Sequence, residues 1–441
     1  MTLRVGMVSL GCPKNLVDGE IMLGFIKDAG MIITSREQDA DVLIINTCTF
    51  IDQAKEESIN TILELARHKI KGNCRSIIVA GCLAQRYPQE LLQEMPEIDG
   101  LVGTGFIGAI IEAINRTVAG ERVALVGPPG YLHQAEQTRV LSTPPYTAYL
   151  KIAEGCDNRC SYCIIPDVRG PYRSRIMEDV LEEAKNLAGR GVKELILAAQ
   201  DTTLYGKDIC SRLTLPSLLA GMERIEELAW IRILYAYPTY LTEDLIEIMA
   251  GGSKICRYLD LPLQHASNTV LKRMSRHGDR DSYLRLVEKL RRRIPGITLR
   301  TSFIVGYPGE TEAEFQELLE FMQQVKFDHA GVFIYSREEG TKAAEMAGQV
   351  PEDIKQKRWE KAMKLQQGIS LSNNRGKIGE TLTVLVTGVG KDNTYEGRTE
   401  GDAPGIDGQV YFKANKNLKC GDFVRVLIKG ASWYDLNGEL V

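Results

Sequence analysis

The segment Cys156-Asp157-Asn158-Arg159-Cys160-Ser161-Tyr162-Cys163 places three thiols within eight residues. A loop that short can wrap its sulfurs around one metal centre. Structural zinc normally takes four protein ligands, often as two separated pairs, and no fourth Cys or His lies close by. A cubane [4Fe–4S] cluster also takes four thiolates as a rule. Three thiolates leave one iron without a protein ligand, and an open position is where a substrate or cofactor can bind. A zinc knuckle and plain buried thiols are the alternatives, and the missing fourth donor weighs against zinc.

Cys12, Cys48 and Cys82 are spaced too widely to form a motif. Their positions relative to the expected strands carry the information. The apolar runs Val5–Leu10, Val42–Ile45 and Ile77–Ala80 read as strands, and each cysteine follows one of them within a few residues. Ligands of open parallel sheets bind at the carboxyl edge of the strands, so the three thiols are expected to converge. Gly11, Pro13, Asn46 and Gly81 suit tight loops there. The other cysteines act as controls. Cys74 precedes its strand, Cys256 precedes the expected fourth barrel strand, and Cys210 and Cys420 have no partner pattern. These four read as structural thiols, which often behave as small buried hydrophobes. Buried thiols also remain the alternative for the convergent three.

The elements that must position these groups suggest an α/β multidomain chain. At roughly 150 residues per domain, 441 residues suggest about three domains. Residues 1–125 alternate strands with helices, including Glu20–Ala29 and Gln53–Arg67, and imply an open parallel α/β sheet. Residues 126–145, rich in Gly and Pro, read as a linker. Residues 146–372 repeat βα units, with strands at Ala148–Ala153, Glu194–Ala199, Ile231–Ala236, Tyr258–Leu263, Thr298–Val305 and Gly331–Tyr335. Six such units imply a partial (β/α)6 barrel, closed off by a helix at Lys355–Leu371. Residues 373–441 carry short strands (Thr381–Val386, Gln409–Phe412, Phe423–Ile428) punctuated by glycines, the pattern of a small antiparallel β-barrel.

Hydrophobic residues form 44% of the chain and charged residues 25%, and the net charge is −4. This is ordinary globular composition, mildly acidic, and not that of a general nucleic-acid binder. No window reaches the ~20 apolar residues of a membrane span, and residues 1–10 read as a strand start rather than a signal peptide. The expected location is the cytoplasm, where cysteines are more often metal ligands or free thiols than disulfides.

The Cys-x3-Cys-x-aromatic-Cys pattern resembles the radical S-adenosylmethionine superfamily. The resemblance implies that the open iron chelates the methionine part of S-adenosylmethionine (SAM). Reductive cleavage would then give a 5′-deoxyadenosyl radical that abstracts hydrogen from an unactivated carbon. It also implies that Tyr162 lies near the adenine. Gln200, Gln264 and His265 at strand ends, and Gly306 within Ser302–Thr311, look like supports for the cofactor. A lone histidine such as His265 is as often a satisfied structural residue.

With the second trio included, the whole chain resembles the radical SAM methylthiotransferase family, built from an N-terminal cysteine domain, a radical SAM barrel and a C-terminal TRAM domain. The resemblance implies two [4Fe–4S] clusters, an auxiliary one on Cys12, Cys48 and Cys82 and a radical one on Cys156, Cys160 and Cys163. It also implies SAM as cosubstrate and an external electron donor. One branch modifies isopentenylated adenosine in tRNA. The other modifies an aspartate β-carbon in small-subunit ribosomal protein twelve. Ser9-Leu10-Gly11-Cys12-Pro13-Lys14-Asn15-Leu16-Val17-Asp18 is similar to the ribosomal-protein branch, as are Glu154–Cys160, Ala199–Thr203 and Leu261–Ser267. Gly19 stands where that branch leads us to expect serine. From Asn373 onward nine basic residues face nine acidic ones, whereas an RNA-binding module is expected to carry a basic excess. Arg291-Arg292-Arg293 reads as a helix end, where cations suit the dipole. We therefore expect the ribosomal protein, not nucleic acid, as substrate. The rivals are a tRNA methylthiotransferase and a non-catalytic iron–sulfur carrier.

Overall fold

Short β-branched runs between amphipathic helices fold the first third of the chain into one six-stranded parallel sheet. In this computed structural model, which describes residues 2–210 and 214–441, its strands are β1 (Arg4–Ser9), β2 (Ile32–Thr34), β3 (Val42–Thr47), β4 (Ser76–Gly81), β5 (Gly100–Val102) and β6 (Val123–Leu125). Their order is β2-β1-β3-β4-β5-β6. Every residue of β3 and β4 is buried, as expected of central parallel strands covered on both faces. The sequence revealed only β1, β3 and β4. Each of the other three strands is three residues long, too short for an alternation pattern to stand out. The register pairs Ser9 with Asn46 and Asn46 with Ala80, so the three cysteine-bearing strands end level with one another.

The first helix spans Pro13–Asp28, not Glu20–Ala29 as the apolar spacing suggested. Cys12 caps it and Pro13 opens it, a first-position proline that favours helix initiation.

The second sheet contains β7 (Thr147–Lys151), β10 (Glu194–Ala198), β11 (Trp230–Ile233), β12 (Ile255–Asp260), β13 (Thr298–Val305) and β14 (His329–Ile334). It runs in the order β14-β13-β12-β11-β10-β7 without closing, the partial barrel the sequence implied. A short antiparallel pair, β8 (Ala153–Glu154) with β9 (Arg173–Ser174), brackets the cysteine loop. Strand β12 begins three residues earlier than the sequence suggested, so Cys256 lies within it and is buried. A long helix, Glu352–Gly376, packs on β14.

Strands β15 (Thr381–Val389), β16 (Thr394–Thr399), β17 (Val410–Lys413), β18 (Phe423–Ala431) and β19 (Leu436–Leu440) close a barrel in the order β15-β16-β17-β19-β18. The expected antiparallel pairing holds except between β17 and β19, which run parallel. The reason is topological: β19 turns back along β18 and fills the gap beside β17. This barrel docks on the N-terminal ends of the larger barrel's strands, from Glu194 at the start of β10 to His329 at the start of β14. Arg232 donates to the Glu400 carbonyl at 2.7 Å and the Tyr258 hydroxyl to Asp407 at 2.8 Å, while buried Glu194 pairs with Arg398 and Arg232. The opposite ends of the strands stay free to carry a site. Among the described residues, no helix is long and apolar enough to cross a membrane.

Candidate active site

The three N-terminal cysteines sit where β1, β3 and β4 end. Cys12 precedes the first helix, Cys48 directly follows β3, and Cys82 opens the helix Cys82–Arg86 directly after β4. Two asparagines knit these loops together. Asn15 donates to the carbonyls of Leu10 (2.7 Å) and Thr47 (3.1 Å). Asn46 donates to Ser9 Oγ (3.0 Å) and the Asn15 carbonyl (2.6 Å). Ser58 Oγ accepts from Cys48 N–H and donates to the Cys48 carbonyl. Gly11 has φ +87, and a Cβ there would stand 2.7 Å from Cys48 Cβ, so only glycine brings these two loops so close.

The second trio lies on the loop after β8. Its first turn is locked by Gly155, at φ +80, where a Cβ would collide with the Pro171 carbonyl. Cys156 N–H donates to the Gly170 carbonyl at 3.1 Å. Asn158 donates to Asp201 at 2.8 Å, and Ser161 binds the Arg273 carbonyl and the Tyr307 hydroxyl. Arg276 lies 3.9 Å from Cys160 Sγ and 4.0 Å from the Tyr237 ring. Among the described residues it forms no ion pair.

The thiols within each trio influence one another. Burial pushes the Cys82 thiol up to about 12, with Arg169 opposing and Cys48 and Cys12 adding to the rise. Burial likewise raises Cys156 to about 11 and raises Cys163, with Cys160 next to both. The six thiols are half-buried or buried. Binding a metal requires their deprotonation and supplies the positive charge that makes buried thiolates tolerable. Three soft sulfur donors per site suit iron–sulfur chemistry. Among the described residues no three donors close tightly on a single ion; a cubane distributes its thiolates over separate irons.

A buried ionic network joins the two cysteine-bearing domains. Arg169, six residues past Cys163, is 2% exposed and crosses from the barrel to the N-terminal domain. It donates to Asp18 (2.5 Å), Glu154 (3.3 Å), Asn15 Oδ1 (3.1 Å) and Cys82 Sγ (3.3 Å). Lys151 also binds both Asp18 and Glu154. Burial alone would raise the Glu154 carboxyl, but Lys151 and Arg169 hold it down at about 2.

The expected cofactor supports are placed as follows. Gln200 donates to Glu154 at 2.6 Å, which ties it to the network. Tyr162 packs beside Val270, Met274 and Tyr307. Gln264 is held at φ +72 with its backbone bridging β13. His265 has no exposed surface and its Nδ1 accepts from Ser267 N–H. Gly306, at φ +74, is faced by Lys355 Cγ, 2.3 Å from where a Cβ would lie, so the glycine accommodates packing against the final helix. Sequence reasoning missed Arg169, Arg276 and Tyr235. Arg169 carried one signal, a cation directly after the mostly apolar stretch Ile164–Val168.

An open six-stranded βα barrel with a three-cysteine loop at its strand ends defines a radical SAM protein, here extended by a second cysteine domain. Residues 150–322 match the Radical SAM superfamily, residues 4–103 the uncharacterized protein family UPF0004, and residues 378–441 the TRAM domain. The chain is 63% identical to ribosomal protein uS12 methylthiotransferase RimO of Pelotomaculum thermopropionicum, over 100% of both chains. It is 52% identical to the protein of that name from Desulforudis audaxviator, over 99% of this chain and 97% of the relative. For the one from Geobacter sulfurreducens the identity is 49%, over 99% and 98%. The chain therefore belongs to the uS12 methylthiotransferase family. Among solved structures, the radical SAM methyltransferase TsrM from Kitasatospora setae superposes with TM-score 0.58 at 13% identity, over 92% of this chain and 82% of that one, a likeness of fold.

Proposed function

We propose that this chain adds a methylthio group to the β-carbon of an aspartate in ribosomal protein uS12. The observation that carries the reading is that Arg169, from the domain of the second trio, reaches into the N-terminal domain to Asn15 and the sulfur of Cys82. In this reading Cys12, Cys48 and Cys82 hold an auxiliary [4Fe–4S] cluster, and Cys156, Cys160 and Cys163 hold the radical cluster. When bound, the clusters and SAM supply sulfur, electron transfer and a carbon radical.

The protein's own work is positioning and exclusion of water. Asn15 and Asn46 fix the strand-end loops, Asn158 and Asp201 fix the cysteine loop, and Arg169 fixes one trio relative to the other. In this reading Arg276, a buried cation that forms no ion pair among the described residues, receives an anionic group beside Cys160. In the same reading Tyr162, which neighbours Arg276, and Gln200, Gln264, His265 and Gly306 are the cofactor supports.

The C-terminal barrel supports a protein substrate over nucleic acid. Its nine basic residues are matched by nine acidic ones, so it carries no basic excess for a phosphate backbone. A reductant must come from a separate electron donor, and a ribosomal substrate places the reaction in the cytoplasm. We take residues 1–125, 146–372 and 373–441 as the three functional domains, with 126–145 as linker.

The test is anaerobic reconstitution with iron and sulfide, followed by mass analysis of a uS12 peptide incubated with SAM and dithionite. The expected result is the mass gain of one methylthio group on aspartate. Modification of tRNA in place of the peptide would overturn the substrate assignment. Bound clusters without 5′-deoxyadenosine release would indicate a carrier.

A further inference from the structure

Lys14 is a buried cation that no carboxylate pairs with directly among the described residues, although Tyr235, Cys12 and Glu154 lie near enough to favour its charge. It lies two residues past Cys12, in the first turn of the helix Pro13–Asp28, and is 7% exposed. Its Nζ makes one long hydrogen bond, 3.5 Å to the Ala199 carbonyl, and stands 3.7 Å from the Tyr235 ring centroid. An ammonium has three donors, so most of its bonding capacity is unused. The carboxylates nearby are engaged elsewhere: Asp18 with Lys151 and Arg169, and Glu154 with the same two cations and Gln200. Among the described residues no ion pair reaches Lys14. Charges are rarely left buried without a partner, so an anion from outside the chain fits here.

The location narrows what that anion is. Ala199 and Tyr235 lie just past β10 and β11, at the ends of the barrel strands that face the N-terminal domain. Tyr235 adopts φ +58, a conformation unfavourable for a bulky side chain that its surroundings must impose. Asp260 accepts from its N–H at 3.1 Å, and Thr202 N–H donates to its carbonyl at 3.0 Å. The imposed turn sets the ring under the Lys14 ammonium. Lys14 thus projects from the first cysteine loop onto the ends of β10 and β11, against Ala199 and Tyr235.

We infer that Lys14 binds the side-chain carboxylate of the target aspartate. The inference rests on the uS12 reading and deepens it. The carboxylate is bonded directly to the β-carbon, so anchoring it fixes which C–H bond is presented. It also makes the site selective for an acidic residue over its neutral amide. The methionine carboxylate of SAM is the other source of the same chemistry, and Arg276 beside Cys160 is better placed for it.

The experiment uses reconstituted protein, unreduced, with SAM present. It measures binding of two labelled uS12 loop peptides, one with aspartate at the target position and one with asparagine. The wild type should favour the aspartate peptide by about tenfold to a hundredfold, the range of a charge-assisted hydrogen bond. Lys14→Met should bring that preference close to one, Lys14→Arg should recover part of it, and SAM affinity and iron content should not change. The wild-type comparison needs no variant to fold. An equal affinity of the wild type for both peptides would overturn the inference. So would a preference kept by Lys14→Met, or a loss that appears in SAM binding or iron content. If the wild type methylthiolates the aspartate peptide but shows no preference, the Lys14 assignment alone falls. If it neither binds nor modifies a uS12 peptide, the functional reading falls with it.

Discussion

Arg169 Nη2 lies 3.3 Å from the sulfur of Cys82, although the arginine belongs to the barrel and the cysteine to the N-terminal sheet. The same guanidinium binds Asp18 and Glu154, one carboxylate from each domain. A planar fork carries five donors spread over three nitrogens, whereas a lysine has three on a single nitrogen. The side chain that orders the auxiliary loop is therefore also the one that docks the two domains.

Arg169→Met should weaken this junction by ~3–5 kcal/mol, the usual result of removing one partner from a buried ionic network. Urea unfolding of the metal-free protein measures the loss. Limited proteolysis should show faster cleavage within residues 126–145. Arg169→Lys should rescue little, because one ammonium cannot reach Asn15, Asp18, Glu154 and Cys82 together. A Lys variant with wild-type stability would show that charge alone matters at this position.

Gly11→Ala combines two penalties, a positive φ and a Cβ 2.7 Å from Cys48 Cβ. Strain of this kind costs about 1–3 kcal/mol. The change should fall on the auxiliary trio alone. Iron analysis should show loss of one cluster, while 5′-deoxyadenosine still forms on reduction with SAM. Full iron content in Gly11→Ala would show that the loop has room to adjust.

The two trios should separate by mutation. Cys156→Ala is expected to abolish SAM cleavage. Cys48→Ala is expected to retain part of it and to stop methylthio transfer. Quantifying 5′-deoxyadenosine and peptide mass in the same reaction reads both effects. Equal yields of methylthiolated peptide from either variant would refute this division of labour.

Much of this arrangement was legible in the chain. Cys12, Cys48 and Cys82 could be grouped because β1, β3 and β4 are continuous apolar runs, and parallel topology fixes which edge their ends share. The six barrel strands were legible for the same reason. Strands β2, β5 and β6 were not, since three residues show no period. The parallel pairing of β17 with β19 was hidden because strand order depends on long-range contacts. Arg169, Lys14 and Tyr235 escaped because their roles arise only where the two domains meet: nothing local distinguishes a lysine with no carboxylate partner from a solvated one. His265 looked like a ligand-facing residue by its place at a strand end, and the fold encloses its ring completely.

That enclosure has a consequence for pH. Burial lowers His265 from 6.5 to about 3, so the unfolded chain binds its proton more readily than the folded one. Stability from this group is full above about pH 6.5 and declines as the pH falls below it, by at most ~1.4 kcal/mol per pH unit. His329 behaves in the opposite sense. Burial works against its charge, but Asp402 and Asp407 prevail and raise it above 6.5, and its Nε2 lies 3.0 Å from the Gly401 carbonyl of the small barrel. Its contribution is full below pH 6.5 and is lost as pH rises through the higher folded value. His265→Asn, whose amide oxygen can still accept from Ser267 N–H, should flatten the acid side of the stability profile. His329→Gln should lower stability at acid pH and approach wild type at alkaline pH. Urea unfolding between about pH 5 and pH 8 measures both profiles. If the two variants shifted the profile in the same direction, the assignment of one buried neutral and one ion-paired histidine would be wrong.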